Sequence, residues 1–577
     1  MHRFAQLYQE LDASTSIRRK LDALRRYWQD APAADAAWAV YFLAGGRPRR
    51  TLSSTALRQW AADRAGVSDW LFEVSYQTVG DLAETIALLL PALPVRDTTP
   101  LSVWMTERLL PWRTQPPEQQ WTTLSAWMSS LDPTQRFVLI KLIGGGWRVG
   151  VSRQLVVRSL AEHAGLPVPL VAQRMMGYTD SRHVPNAAAY EALVAPPAAT
   201  AGDEGQACPP GIQPYPFFLA HPMDELPAEA PDAWLAEWKF DGIRAQIVRR
   251  HGETGIWSRG EELLNEAFPD LLALAASWPD GTVLDGEIVV RDETVVPLPA
   301  DSPLAALGWR PAPFARLQTR ITRKQITRRL LDEHPAAFIP YDLLEWQCAD
   351  LRALPQAARR TRLEAVAAAL GLIASPLVRA PDWTGLAAQR AGARTAGLEG
   401  LMLKQAEARY GMGRTRSDGV WLKWKLDPMT VDAVLVYAQA GHGRRANLYT
   451  DYTFAVWNRP PANDAEVQAV QEAIAAREPA RPGALQLVTF AKAYSGLTDT
   501  ELQAVDKVIR QTTVDRFGPV RSLRPTLVFE LGFEGIGASP RHKSGLAVRF
   551  PRILRWRTDK PLREADTLAD LQRWLPP

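Results

Sequence analysis

Over residues 1 to about 195, apolar side chains return every three or four positions with charges between them, as in SIRRKLDALRRYWQD and STALRQWAADRAG. That spacing predicts amphipathic helices, and strand-like alternation is scarce there. At Ala195 the text changes to PPAATAGDEGQACPPG, small and rich in proline and glycine, which reads as a linker. From about Pro214 short strands and turns mix with helices. Ile243, Ala245 and Ile247 alternate with Arg244 and Gln246, the period of a half-buried strand. VLDGEIVV and GLEGLMLK are short apolar runs carrying carboxylates, and RTRLEAVAAALG reads as a helix. After Asp427-Pro428 the chain turns β-rich, in TVDAVLVYAQA, NLYTDYTFAVW, LQLVTFAKAY and PTLVFELGFEG, with one helix, DAEVQAVQEAIAARE. The expected division is an all-α domain over 1–205, an α+β domain over 206–427, and a small β-barrel such as an OB-fold over 428–577.

Composition narrows the class. A chain of 577 residues accommodates three or four domains of about 100–200 residues. With 46% apolar and 23% charged residues, bulk disorder is excluded. The net charge is only +4, so any nucleic-acid surface must come from local clustering. Cys208 and Cys348 are the only cysteines. They exclude a disulfide framework and a four-cysteine zinc module, and suit a reducing compartment; Cys208 reads as incidental to the linker. The opening MHRFAQLYQELD lacks the apolar core of a signal peptide, and Ile86–Val95 is short and broken by Pro91 and Pro94. The expectation is a cytoplasmic protein without a membrane span.

The chemistry gathers around AEWKFDGIRAQ, residues 236–246. Lys239 stands on a predicted strand just before an Asp241-Gly242 turn, which holds its amine rigidly toward whatever cleft the turn rims. A lysine becomes nucleophilic when desolvation or a neighbouring cation acts on it. Lys423 and Lys425 in WLKWK lie two apart on a predicted strand and so share a face. Alone, Lys239 would read as a solvated lysine, yet Lys-x-Asp-Gly-x-Arg is expected by chance only roughly 0.004 times in such a chain. Glu287 and Glu399 sit in apolar strands, where a carboxylate needs a lysine partner or a metal. Mg²⁺ takes one or two carboxylates and completes its shell with water and phosphate oxygens.

These strings resemble the covalent nucleotidyltransferases, and among them the ATP-dependent DNA ligases, in particular bacterial members with a helical DNA-binding domain. The lysine motif is followed by Ser258-Arg259-Gly260, Leu284-Asp285-Gly286-Glu287, Tyr341-Asp342-Leu343-Leu344, Leu398 to Lys404, Trp421 to Lys425, and Arg549-Phe550-Pro551-Arg552 with Arg557-Thr558-Asp559-Lys560. The resemblance implies an ATP-grasp-like adenylation domain in which Lys239 takes AMP from ATP. It further implies that Glu237 accepts from the adenine amine, that Tyr341 stacks on the base, and that Arg244 and Arg259 bracket ribose and phosphate. Glu287 would contact ribose or Mg²⁺ and Glu399 the metal, while Arg416, Lys423, Lys425 and Arg552 would contact the nucleotide. Arg416 is preferred to Arg414 in a loop that departs from the usual length. The basic tail Arg541–Lys560 would close over the β- and γ-phosphates and swing away when DNA binds.

The helical region carries VGDLAET and KLIGGGWRVGVSRQLVVRSLAE, which resemble DNA-binding signatures of the same family. Gly145, Arg148 and Arg153 are the expected phosphate contacts, against the plainer reading of a glycine-rich interhelical turn. The resemblance thus implies nicked duplex DNA as partner and a monomer encircling it, in the cytoplasm and nucleoid. RNA ligases and capping enzymes share the lysine motif but not this helical region.

Overall fold

The computed structural model describes residues 1–575 apart from 48–50, 92–96, 146–148, 181–182, 197–207, 210, 293–297, 299–301, 324, 442–446, 480, 482 and 541. Two compact units divide the chain. One comprises Met1–Arg49, Asp97–Trp121 and Gly145–Leu426; the other comprises Arg50–Arg96, Thr122–Gly144 and Asp427–Pro577. The helical region is therefore shared between the units, a division that helical periodicity does not encode. Among the described residues no single helix is long and apolar enough to cross a membrane.

In the first unit, helix Ala33–Leu43 (AADAAWAVYFL) is apolar around its circumference and buried at every position from Asp35 on, as a helix without a polar face must be. Its one charge, Asp35, accepts from the backbone amides of Leu101 (3.0 Å) and Ser102 (2.8 Å) and from the Ser102 hydroxyl (2.6 Å). Helix Arg153–Ala164 begins at Ser152, whose hydroxyl accepts from the Leu155 amide, and ends at Gly165 with φ 65°. These are the ordinary start and stop devices of a helix. Trp28 Nε1 donates to Ser159 of that helix at 3.0 Å.

Two sheets follow. One runs in the order His221–Pro222, Trp421–Lys425, Gly400–Gln405, Trp234–Trp238, Leu377–Val378, antiparallel except for its first pair. The other runs Glu253–Ser258, Ile243–Arg250, Thr282–Asp292, Ala336–Trp346, Ala349–Asp350, antiparallel throughout, with Arg310–Pro311 beside Thr282–Asp292. Trp234, Ala236 and Trp238 pack with Leu401 of the first sheet and with Val289 and Ile339 of the second. Ala245 and Ile247 face a separate core with Leu284, Ile288 and Leu363. The alternation was read as a half-buried strand, yet both faces are covered. Gln246, on the other face, is fully buried and exchanges hydrogen bonds with the Tyr215 backbone at 2.8 and 2.9 Å.

Cys208 and Cys348 are joined by a disulfide across 140 residues of sequence, with Cα atoms 4.6 Å apart. This corrects the reading of Cys208 as incidental, and of the two cysteines as suiting a reducing compartment: the bridge pins Cys208 to the turn between Ala336–Trp346 and Ala349–Asp350.

The second unit contains helices Ser54–Ala65, Asp69–Val79, Leu82–Leu89 and Pro133–Gly144 and a C-terminal β region. There the strand order is Leu487–Ala493, Tyr449–Trp457, Met429–Ala440, Val520–Leu523, Thr513–Phe517, and Val528–Phe533 pairs with both Met429–Ala440 and Arg552–Trp556. Its core is drawn from Val431, Leu435, Phe454, Phe490, Phe529 and Leu531 among others. The Ile553 amide donates to Ser495 at 3.0 Å.

Candidate active site

Lys239 follows strand Trp234–Trp238 and is clamped through its backbone. Its amide donates to Gly400 at 2.9 Å, and its carbonyl accepts from Glu399 at 2.8 Å. The same pairing brings the Glu399 carboxylate onto Lys239 Nζ as an ion pair. The Asp241-Gly242 turn must be tight because strand Thr282–Asp292 runs beneath it. A Cβ at Gly242 would collide with the Ile288 carbonyl oxygen and lie 2.8 Å from Glu287 Cγ. Glycine is required there by close approach, a reason that complements the motif itself.

Antiparallel pairing sets Arg244 opposite Glu287 and Gln246 opposite Asp285. Arg244 grips Asp285 with a fork of 3.1 and 2.7 Å and donates to the Phe218 carbonyl at 2.7 Å. Tyr410 Oη donates to Asp285 at 2.6 Å. The Arg244 guanidinium lies 5.2, 5.8 and 5.4 Å from the ring centres of Phe217, Tyr341 and Trp421. Burial alone would depress its basicity, but Asp285 and the tyrosines hold it well above the ordinary arginine value. Glu287 is the opposite case. Burial, opposed by Lys239 and Arg244 and reinforced by Glu399 and Asp285, pushes its carboxyl up to about 8.

Glu237 lies behind this floor. Lys404 Nζ reaches both its oxygens at 3.0 Å and Arg360 lies at 3.4 Å, so the carboxylate expected at an adenine amine already holds two cations. Each oxygen has a second lone pair, which leaves room for one more donor. Lys404 also donates to the Tyr341 carbonyl at 2.8 Å and sits 4.5 Å from the Tyr341 ring centre.

The opposite wall is basic. Strand Trp421–Lys425 pairs Lys423 with Met402 and Lys425 with Gly400. Burial, and then the positive fields of Lys425, Arg414, Lys239 and Arg259, lower the basicity of Lys423. The cations expected at a nucleotide thus act on one another. Arg414 is among them and Arg416 is not. Arg416 is exposed, and its carbonyl accepts from Gly419 at 3.4 Å. The longer loop turns at Gly413 (φ 62°), and Arg414 and Arg416 are both exposed on it.

Four further residues were expected to bind DNA or nucleotide. Arg153, expected at DNA phosphate, is ion-paired with Glu261 and donates to the Met175 carbonyl at 2.6 Å. Gly145 has φ 72°, as a turn glycine would, and Arg148 lies outside the described residues. Arg552 belongs to the second unit, 3.6 Å from Glu534. In the same unit Arg557 and Lys560 both reach Asp432, at 2.8 and 2.6 Å. Within the run read as a mobile phosphate-facing cluster, Arg552, Arg555, Arg557 and Lys560 each lie beside a carboxylate.

Sequence reasoning passed over Asp285, Lys404, Arg360 and Tyr410 as site residues. The signal for Asp285 and Lys404 was present, since a charge inside an apolar strand demands a partner. Nothing local signalled Arg360 or Tyr410.

Among the described residues no group of three or more histidine, cysteine or acidic side chains is placed to hold a metal. Glu287 and Glu399, each acting on the other beside Lys239, instead fit a cation that takes two carboxylates and completes its shell from phosphate and water.

Residues 218–425 match the family described as ATP dependent DNA ligase domain, 1–161 match DNA ligase N terminus, and 473–560 match ATP dependent DNA ligase C terminal region. The chain is 28% identical to a probable DNA ligase of Koribacter versatilis, over 98% of this chain and 95% of that protein. It is 31% identical to a DNA ligase of Haloferax volcanii, over 79% of this chain and 76% of that protein. The solved structure named Pmar-Lig_PreS3 has the same fold at a TM-score of 0.53 and 14% identity, covering 96% of this chain and 99% of its own. With a relative above 30% identity matched over three quarters of its length, and three family regions in order, the chain belongs to the ATP-dependent DNA ligase family.

Proposed function

We infer that this chain is a DNA ligase that seals nicks in duplex DNA at the expense of ATP. The observation that carries this is Lys239, clamped through its backbone, ion-paired to Glu399 and acting with Lys425, Arg414 and Arg259 on Lys423, on a site floored by Arg244–Asp285. Nζ of Lys239 attacks the α-phosphorus of ATP, the bond to pyrophosphate breaks, and a lysyl-AMP phosphoramidate forms. The amine must shed a proton to do so, and Glu399 is the carboxylate in contact with it. AMP then passes to the 5′-phosphate of the nick, and the 3′-hydroxyl attacks that phosphate with loss of AMP.

The chain's own residues bind and orient. The cation wall neutralises charge that develops as pyrophosphate leaves, and Tyr341, in a cage with Lys404 and Trp421, offers a ring to the base. Glu237, held by Lys404, stands as the adenine acceptor. Glu287 and Glu399 would hold Mg²⁺, which supplies charge neutralisation on the transferring phosphate. Arg552 contacts the outer phosphates in the first step only. Arg552→Ala is accordingly expected to slow lysyl-AMP formation and to spare sealing of a pre-adenylylated nick; equal loss in both would remove that role.

The three-part division at 1–205, 206–427 and 428–577 belongs to the same reading, with the last part an OB-fold. The bond from Ile553 to Ser495, next to strand Leu487–Ala493, supports a closed path of strands there. A monomer enclosing nicked duplex and working in the cytoplasm completes the proposal. The test is label transfer from α-labelled ATP to the protein with Mg²⁺, beside GTP, NAD and Lys239→Ala. Label from ATP alone, absent in the variant and lost on a chase with nicked DNA, is the expected result; no label from any nucleotide would overturn the reading.

A further inference from the structure

The first two residues of helix Arg153–Ala164 touch the adenylation region at two separate loops, and each loop carries an arginine of the nucleotide wall. Arg153 meets the loop Ser258–Glu262, which presents Arg259, through its ion pair with Glu261. That loop is tight. The Glu261 amide donates to Ser258 at 2.9 Å, the Ser258 amide donates to Glu262 at 2.9 Å, and the Arg259 amide donates to the Arg244 carbonyl at 3.0 Å. Glu261 itself has φ 64°, a left-handed conformation that a non-glycine residue keeps only when its surroundings impose it.

Those surroundings come from the helical region. Arg153 supplies the ion pair to the Glu261 carboxylate. Gly177 (φ 74°) approaches Trp257, the residue before the loop, so closely that an added Cβ would lie 3.0 Å from the indole. Gln154 meets the other loop. A Cβ at Gly413 would strike Gln154 Nε2, so the amide lies over the turn that precedes Arg414. Gly413 is in turn fixed to the domain, its amide donating to Phe217 and its carbonyl accepting from Leu219, both at 2.8 Å.

The placement of Arg153 is informative in itself. At the first turn of a helix a cation faces the positive end of the macrodipole. Only an outside anion compensates it, and here that anion is Glu261 rather than a phosphate.

We propose that Arg153 and Gln154 are positioning residues for the ATP step, holding the Ser258–Glu262 loop and the Gly413 turn so that Arg259 and Arg414 stand beside Lys239 and Lys423. The helical region then serves lysine adenylylation before any DNA is bound. This rests on the ligase reading and deepens it.

The test measures the initial rate of lysyl-AMP formation against ATP concentration, in full-length protein without DNA. Arg153→Met keeps the apolar stem and removes the charge. It is expected to raise KM for ATP on the order of tenfold, with a smaller change in the maximal rate. Affinity for nicked DNA and its dependence on salt should stay as in wild type. The exchange Arg153→Glu with Glu261→Arg should return KM toward the wild-type value, which a merely lost surface charge would not do. Gln154→Ala leaves the ion pair intact and should raise KM by less, so a poorly folded Arg153→Met does not leave the question open. Unchanged KM in both variants overturns the proposal. So does unchanged KM with weaker DNA binding and a salt slope reduced by about one, the mark of a phosphate contact. Either outcome, with wild type still labelled by ATP, leaves the ligase reading standing; wild type without label contradicts both.

Discussion

At Asp432 in the second unit, Arg557 and Lys560 converge on one carboxylate oxygen, and Asp559 lies 2.9 Å from Arg557. Around Lys423 in the first unit burial lowers the basicity, and the fields of Lys425, Arg414, Lys239 and Arg259 all act in the same direction. Of the acids nearby, Glu399 is paired to Lys239, and Glu287 is pushed toward its neutral form by burial. Where cations are matched to anions they hold the local fold together. Where they crowd one another, the fold tolerates repulsion that a bound polyanion relieves. The second arrangement is the one proposed to receive the phosphates.

Removing one member of the crowded wall sharpens the contrast most. Lys423→Ala is expected to slow lysyl-AMP formation about a hundredfold, the scale of losing one charge-stabilising donor. Its melting temperature should hold or rise, because a like-charge neighbour is gone. A lower melting temperature with the rate intact would mean that the wall is structural. Asp432→Asn makes the converse change. It should lower the melting temperature and slow lysyl-AMP formation less than Lys423→Ala does, since it strips the partner from two matched cations.

Glu287 tests the acidic side. Its carboxyl is raised to about 8 by burial, so the protonated form is the one the fold favours. The stability it contributes is complete below the ordinary carboxylate range and is lost as pH rises through about 8. Without nucleotide or metal, Glu287→Gln should melt like wild type near pH 5 and above it at pH 8. Parallel melting curves across that range would contradict the assignment. The smallest effect concerns the clip at Cys208 and Cys348. Thiol titration of unfolded, unreduced protein should find no free thiol, and reduction should lower the melting temperature modestly, in line with closing a long loop.

Much of the site was legible in the sequence because its parts are local. Lys239 before Asp241-Gly242 is a tight turn in the text and in the fold, and the two-residue spacing of Lys423 and Lys425 does place them on one strand. Charges inside apolar strands announced that Glu287 and Glu399 needed partners, and the same signal at Asp285 and Lys404 was passed over. Which partner each took was not legible. Tyr410 is 125 residues from Asp285, and Arg360 is 123 from Glu237. Such pairs are set by how the sheets pack, and no periodicity carries that. The ion pair of Arg153 with Glu261 was not legible for the same reason: an arginine at a helix start reads as a phosphate contact, and its distant partner leaves no local sign. The covered face of Ile243–Arg250 shows the same limit, because period two reports one apolar face and does not say what lies over the other.

The most direct measurement is peptide mapping of the protein after incubation with ATP and Mg²⁺, before and after addition of nicked duplex DNA. AMP on the peptide containing Lys239, lost as the nick is sealed, is the expected result. AMP on another residue, or on none, would contradict the account.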